Sequence, residues 1–266
     1  MKFLIKEDWE KLLNKLSFNK NNFAKETPVE KLFFEISQRI KDLTSKANYD
    51  HITYGIAMTL FHYYTCFNDI RNVDRIEISF ACLYMSSKIQ FRNISLNKFI
   101  EEYKNYSKSN SGVSDKKPDF IKYEIQLYSQ LGYDLDIETP FQFFYDEFFC
   151  RLNFKNNKEF YNKMVILKNF CFNLINDTYS RPLSIYYHPK IIYLSCLIFS
   201  LKFLDYKEFE IKSLIKNENV DLIAECMEKI YQIYSRYLED NSNKNNNNSN
   251  SNSNNNTINI NNENLK

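Results

Sequence analysis

Glycine is scarce in this chain: three in 266 residues, at Gly55, Gly112 and Gly132. A P-loop, a dinucleotide-binding turn and a kinase glycine-rich loop each need several glycines close together, so none of these phosphate cradles can be built. Only five prolines interrupt the chain, which suits a protein made mainly of helices. Six cysteines stand at positions 66, 82, 150, 171, 196 and 226, with no Cys-x-x-Cys spacing among them. Most lie in apolar helical settings, which predicts buried, reduced thiols and argues against a disulfide framework or a zinc site. No apolar run approaches the length of a membrane span. The opening residues, Met1 to Asp8, turn charged too early for a secretory leader, so an intracellular chain is expected. Thirty-five basic against 33 acidic residues leave a net charge of +2 with mixed signs. Composition therefore gives no pull toward nucleic acid or a membrane surface.

What the chain has in plenty is apolar bulk. Hydrophobic residues make up 44%, with 23 Phe and 20 Tyr, enough for a substantial core. Two apolar stretches resemble each other. Ile78-Ser79-Phe80-Ala81-Cys82-Leu83-Tyr84-Met85-Ser86-Ser87-Lys88 returns as Ile192-Tyr193-Leu194-Ser195-Cys196-Leu197-Ile198-Phe199-Ser200-Leu201-Lys202. Five of the eleven positions are identical, at a constant offset of 114 residues (78 to 192, 88 to 202). An offset the size of a small domain predicts one helical fold used twice.

Helical periodicity and capping residues supply the rest of the organisation. Leu4, Ile5, Trp9, Leu12, Leu13 and Leu16 predict a short helix over 1–16. Thr27 with Pro28 and Glu30 reads as a helix start. Asp50 opens a second helix, Asn72 or Asp74 a third over about 74–89, and a polar fourth covers 95–106. A loop is expected at 107–117. Pro118 opens a fifth helix that stops at Gly132. After an extended link, further helices are expected near 140–152, 158–178, 188–204, 208–217 and 219–238. The third helix and the one at 188–204 are apolar nearly all round and rich in small residues, as the centre of a bundle requires. The segment after Asn241 is mostly Asn and Ser and cannot bury enough apolar surface to fold. The expected fold class is all-α. The expected boundaries are an N-terminal helix and linker over 1–27, two five-helix bundles over 28–135 and 136–238, and a disordered tail over 239–266.

Several segments carry a family resemblance. Gln38-Arg39-Ile40 followed by Ile56 to Tyr64, and Asp74-Arg75 followed by Phe80 to Lys88, resemble the first box of transcription-type cyclins, of the K, L, T and C kinds. Glu124 to Leu135 and Thr139-Pro140-Phe141-Gln142-Phe143 continue the likeness. Asn176-Asp177 to Phe203-Leu204 is similar to their second box. The match covers roughly residues 28 to 238. It departs after Lys88, where Ile89-Gln90-Phe91 stands in place of the usual apolar residue and two glutamates, and at Ser87, where a glycine is common.

The resemblance implies a non-enzymatic regulatory subunit, with no cofactor and no metal, that binds and activates a cyclin-dependent protein kinase in the nucleus, in transcription by RNA polymerase II. Cyclins of this kind pack against the kinase αC helix and keep its Lys–Glu ion pair in place. The resemblance carries kinase binding onto Lys88 and Glu124, as charges for main-chain groups of the kinase. It also carries binding onto Ile89, Tyr128, Tyr133 and Leu135 as apolar contacts. Read without it, Lys88 and Glu124 are ordinary surface charges near helix ends. The alternative function is a cyclin-fold transcription factor or adaptor of the TFIIB type, acting without a kinase. The low net charge and missing Cys-x-x-Cys give that alternative no support. An all-helical enzyme finds no nucleophile–base pair to work with.

Other candidates have plainer readings. His62 and Cys66 stand one helical turn apart, a metal-ligand spacing, but no third ligand is evident, so core side chains are expected. His51 and His188 read as helix-start residues. Asp134, Asp136 and Glu138 read as a solvated face of the link, and Lys116-Lys117 is too small for a nucleic-acid footprint.

Overall fold

The computed structural model describes residues 28–92, 95–111, 118–151, 158–206, 214–215 and 218–233. The expected 1–16 helix, the Thr27 cap, most of 208–217 and the Asn/Ser tail lie outside the described residues. Every regular element among those described is helical, and none is a strand. The helices are α1 Pro28–Lys46, α2 His51–Phe67, α3 Arg75–Ile89, α4 Leu96–Ser111 and α5 Phe120–Gln130. They continue with α6 Pro140–Arg151, α7 Lys158–Thr178, the single turn α8 Leu183–Tyr186, α9 Pro189–Phe203, and α10 from residue 220. The described residues through Met227 form one compact unit; residues 228–233 are helical and belong to a second. No helix among the described residues is long and apolar enough to cross a membrane.

The offset of 114 holds at both ends of the two central helices. α3 and α9 are each 15 residues long and begin at Arg75 and Pro189 and end at Ile89 and Phe203. Their N-caps correspond too. Asp74 accepts from the backbone N–H groups of Ile76 and Glu77, and His188 Nδ1 accepts from Lys190 N–H at 3.2 Å. Each cap satisfies donors that the first turn leaves without an intrahelical partner. α3 is buried from Glu77 to Ser87 and packs against α1, α2, α4 and α5. α9 is surrounded by α6, α7 and α8, and Ser195 Oγ donates to the carbonyl of Ile223 at 3.2 Å. Small residues let these neighbours approach. Apart from Ser195, serine hydroxyls here donate within their own helix, as when Ser87 Oγ donates to Tyr84 O at 2.7 Å and Ser200 Oγ to Cys196 O at 2.6 Å.

Around α3, Phe80, Tyr84, Phe99, Tyr103 and Phe120 form a continuous ring cluster. On α6, Phe141, Phe144 and Phe148 share one buried face, each contributing about 2 kcal/mol by area. α2 packs against α3 and, on a second face, against α6 and α8. Gly55 lies on that second face: a Cβ there would meet Tyr179 Oη at 2.8 Å and the Thr139 side chain at 3.1 Å. His62 is fully buried and joins the same contact. Its Nδ1 lies 2.9 Å from Ser184 Oγ and its Nε2 3.1 Å from the carbonyl of Tyr179.

Several expected boundaries need correction. α4 runs to Ser111 instead of stopping at 106, because Phe99, Tyr103 and Ser107 continue one buried stripe at fourth-residue spacing. The start of α5 is Phe120, not Pro118. Asp119 is its N-cap, accepting from Lys122 N–H at 3.0 Å, while Glu77 Oε1 accepts from Asp119 N–H. The helix stops at Gln130 with Gly132 left-handed just beyond, as expected. The 3-10 turn Ile70–Asn72 and the turn α8 had no counterpart in the sequence reading. The five cysteines described, at 66, 82, 171, 196 and 226, are buried and free.

Candidate functional site

α3 and α5 are tied to each other at two places. At the start of α3 the Glu77 carboxylate holds the first backbone N–H of the α5 cap. At its end, Lys88 Nζ donates to Glu124 Oε1, a pair 36 residues apart in sequence. Lys88 is 41% exposed and Glu124 15%. Partial burial works against the Lys88 charge, but the Glu124 hydrogen bond and charge outweigh it and hold its pKa above the ordinary lysine value. The ammonium also lies 5.2 Å from the centre of the Tyr84 ring, a cation–π contact. An ammonium has three donors, so the bond to Glu124 leaves others for a partner.

Tyr128 stands one turn beyond Glu124 and hydrogen-bonds to it. Burial first, then the Glu124 charge, raise the Tyr128 pKa. The Tyr133 ring stacks on Tyr128, with centroids 6.5 Å apart and an interplanar angle of 16°. Lys88, Glu124, Tyr128 and Tyr133 are thus brought into one cluster. Ile89 and Leu135 are half-buried, at the last residue of α3 and in the link after Tyr133.

The surface also carries apolar residues that sequence reasoning passed over. Phe91 is 93% exposed, and Ile121 and Ile125 are exposed one turn apart on α5, on either side of Glu124 in sequence. Their signal was available: Ile121 and Ile125 fall off the buried stripe of Phe120, Tyr123 and Leu127.

The plainer readings also have their outcome. His62 keeps both ring nitrogens in hydrogen bonds to protein, and burial pushes its pKa down to about 3. Cys66 Sγ donates to the His62 carbonyl at 3.3 Å. Among the described residues no group of three His, Cys, Asp or Glu could hold a metal ion. Asp134, Asp136 and Glu138 are exposed.

The chain matches no protein-family model and no curated protein. Its fold does match solved structures. A chain of the CAK complex from Chaetomium thermophilum, determined with ATP-gamma-S bound, aligns with a TM-score of 0.61 at 14% identity, over 86% of this chain and 70% of that one. A chain of the yeast TFIIK complex aligns with a TM-score of 0.60 at 17% identity, over 86% and 96%. A chain of the yeast RNA polymerase II CTD kinase complex CTDK-1 aligns with a TM-score of 0.66 at 14% identity, over 88% and 73%. At these identities the likeness is one of fold.

Proposed function

We propose that this chain is a cyclin-like regulatory subunit that docks on a cyclin-dependent protein kinase and activates it in transcription by RNA polymerase II. The observation that carries the reading is the partly exposed Lys88–Glu124 pair, bordered by Tyr128 and Tyr133 on a fold shared with chains of the CAK, TFIIK and CTDK-1 complexes. In this reading residues 28–135 and 136–238 are two cyclin boxes, and the protein works in the nucleus. The subunit itself performs no chemistry.

Lys88 donates to main-chain carbonyls and Glu124 accepts from main-chain N–H groups of the kinase beside its αC helix. Charge-assisted bonds of this kind fix orientation more than they supply affinity. The affinity comes from apolar burial by Ile89, Tyr128, Tyr133 and Leu135. A docked αC helix keeps its glutamate on the catalytic lysine, which then holds the ATP phosphates. Activation therefore needs only that the complex stabilise one conformation of the kinase over the other.

The test is affinity capture of the full chain from its own cells, identification of any kinase recovered, and reconstitution of the purified pair. The expected result is a cyclin-dependent kinase whose phosphorylation of a polymerase-tail peptide rises steeply when this chain is added. Capture without a kinase, or a recovered kinase indifferent to the chain, would sink the reading and favour an adaptor of the same fold.

A further inference from the structure

Four of the described helices end in the same way. In α1, α3, α5 and α9 two backbone N–H groups beyond the C-cap return to the last turn. The pairs are Asn48→Ser45 with Tyr49→Thr44, Phe91→Lys88 with Arg92→Ser87, Gly132→Ser129 with Tyr133→Tyr128, and Asp205→Lys202 with Tyr206→Leu201. This closure requires a left-handed residue just past the cap. Those residues are Asn48 at φ 53°, Phe91 at 53°, Gly132 at 61° and Asp205 at 54°. Glycine adopts this conformation freely, and Asn and Asp tolerate it because their short polar side chains bond locally. Phenylalanine has neither advantage. Its Cβ crowds the carbonyl, and at 93% exposure its ring recovers almost nothing from the interior.

Phe91 is also held firmly. On one side Lys88 is paired to Glu124; on the other the Arg92 guanidinium pairs with Asp50 and lies 5.5 Å from the centre of the Tyr49 ring. Asp50 is itself fixed as the N-cap of α2, accepting from Thr53 N–H and Oγ1–H. The neighbouring helix exit repeats the oddity. Tyr133 is left-handed at φ 64° and 77% exposed. Of the four described non-glycine residues with positive φ, the two aromatic ones follow the two helices that carry the Lys88–Glu124 pair. Strained conformations persist where the surrounding structure over-determines them, and they cluster at functional sites. Ile89, Gln90 and Phe91 carry no charge and two of them are apolar, so a surface that fits them is uncharged.

We infer that Phe91 is an apolar anchor for the docked kinase, its ring entering an uncharged recess on the kinase surface beside the Lys88–Glu124 contact. The inference rests on the kinase-docking reading and adds to it a specificity-determining residue and the character of the facing surface. Side chains of this kind, rigid and central to an interface, carry a disproportionate share of binding.

The test uses the full chain and the cyclin-dependent kinase recovered with it, identified and purified as a single species. Phe91→Gly should raise the melting midpoint of the free chain by about 2–4 °C, by removing the crowded Cβ. The same change should weaken kinase binding about tenfold or more. Phe91→Leu should keep most of the binding, and Phe91→Glu should lose as much as Phe91→Gly. Unchanged binding by Phe91→Gly overturns the anchor and leaves the docking reading standing. Stronger binding by Phe91→Glu overturns it too, since the recess would then be basic. Weaker binding together with a lower melting midpoint assigns the loss to the fold and counts against the anchor. If the wild-type chain recovers no cyclin-dependent kinase, the reading and the anchor fall together.

Discussion

Cys82 and Cys196 occupy the same turn of α3 and α9, both fully buried, and Ser86 and Ser200 follow one turn later, also fully buried. At the exits the two helices differ. Lys88 is paired with Glu124, and Ile89, Gln90 and Phe91 follow; Lys202 is exposed, and Phe203, Leu204 and Asp205 follow. The 114-residue counterpart of Glu124 is position 238, an uncharged Leu238. Phe203 turns aside and stacks on Phe170, with centroids 5.0 Å apart at 11°. Both central helices keep a buried Cys and a buried Ser one turn apart, where close packing admits only small side chains, while their other buried positions differ in size. An exit faces solvent or a partner and is free to change; among the described residues the charge pair stands at the end of α3.

The largest expected effect tests the shared interior. Cys82→Phe and Cys196→Phe each force a ring into a closed helix contact and should each lose about 3 kcal/mol of stability in denaturant unfolding. A chain that tolerates one and not the other would break the equivalence of the two central helices.

The next effect separates the copies by pH. His62 has Asn176 as its counterpart, a residue that does not titrate. His62 is held neutral in the fold, with its pKa pushed down to about 3 by burial, while the unfolded chain takes its proton near 6.5. Its stabilising contribution is full above the unfolded value and falls as the pH drops toward the folded one. Lowering the pH from 7 to 5 should therefore cost about 2 kcal/mol. That slope should shrink in His62→Gln, whose amide can still reach Ser184; an equal slope in both proteins would assign it to other groups.

The smallest effect concerns the two lysines. Lys88→Ala removes a partly covered pair and should shift stability by no more than about 1 kcal/mol, and Lys202→Ala by less than about 0.5 kcal/mol. Thermal melting of the two variants side by side checks the ranking, and a larger loss from Lys202 would reverse it.

Much of this architecture was legible from residue spacing. The central helices were visible because a buried helix needs apolar and small residues on every side, and the two segments resemble each other at a constant offset. Asp74 and Gly132 marked a start and a stop by chemistry that leaves few alternatives. The turn α8 was invisible, since four residues are too few to show a period. The end of α4 is hard to see in sequence because its last turns are polar except for Tyr103 and Tyr106, and the buried Ser107 looks like a loop residue. At the site, Lys88 and Glu124 were named through family resemblance; spacing alone does not reveal a contact across 36 residues. The left-handed Phe91 could have been suspected, because the same offset sets it opposite Asp205 at a helix end.

The charge swap Lys88→Glu with Glu124→Lys tests the central claim most directly. The swapped pair can still attract itself, so the fold should melt near the wild-type midpoint. The charges offered to a kinase are reversed, so binding of the kinase recovered by the wild-type chain should weaken by about 2 kcal/mol or more. Equal recovery of that kinase by the swapped and wild-type chains, at equal stability, would contradict docking through this pair.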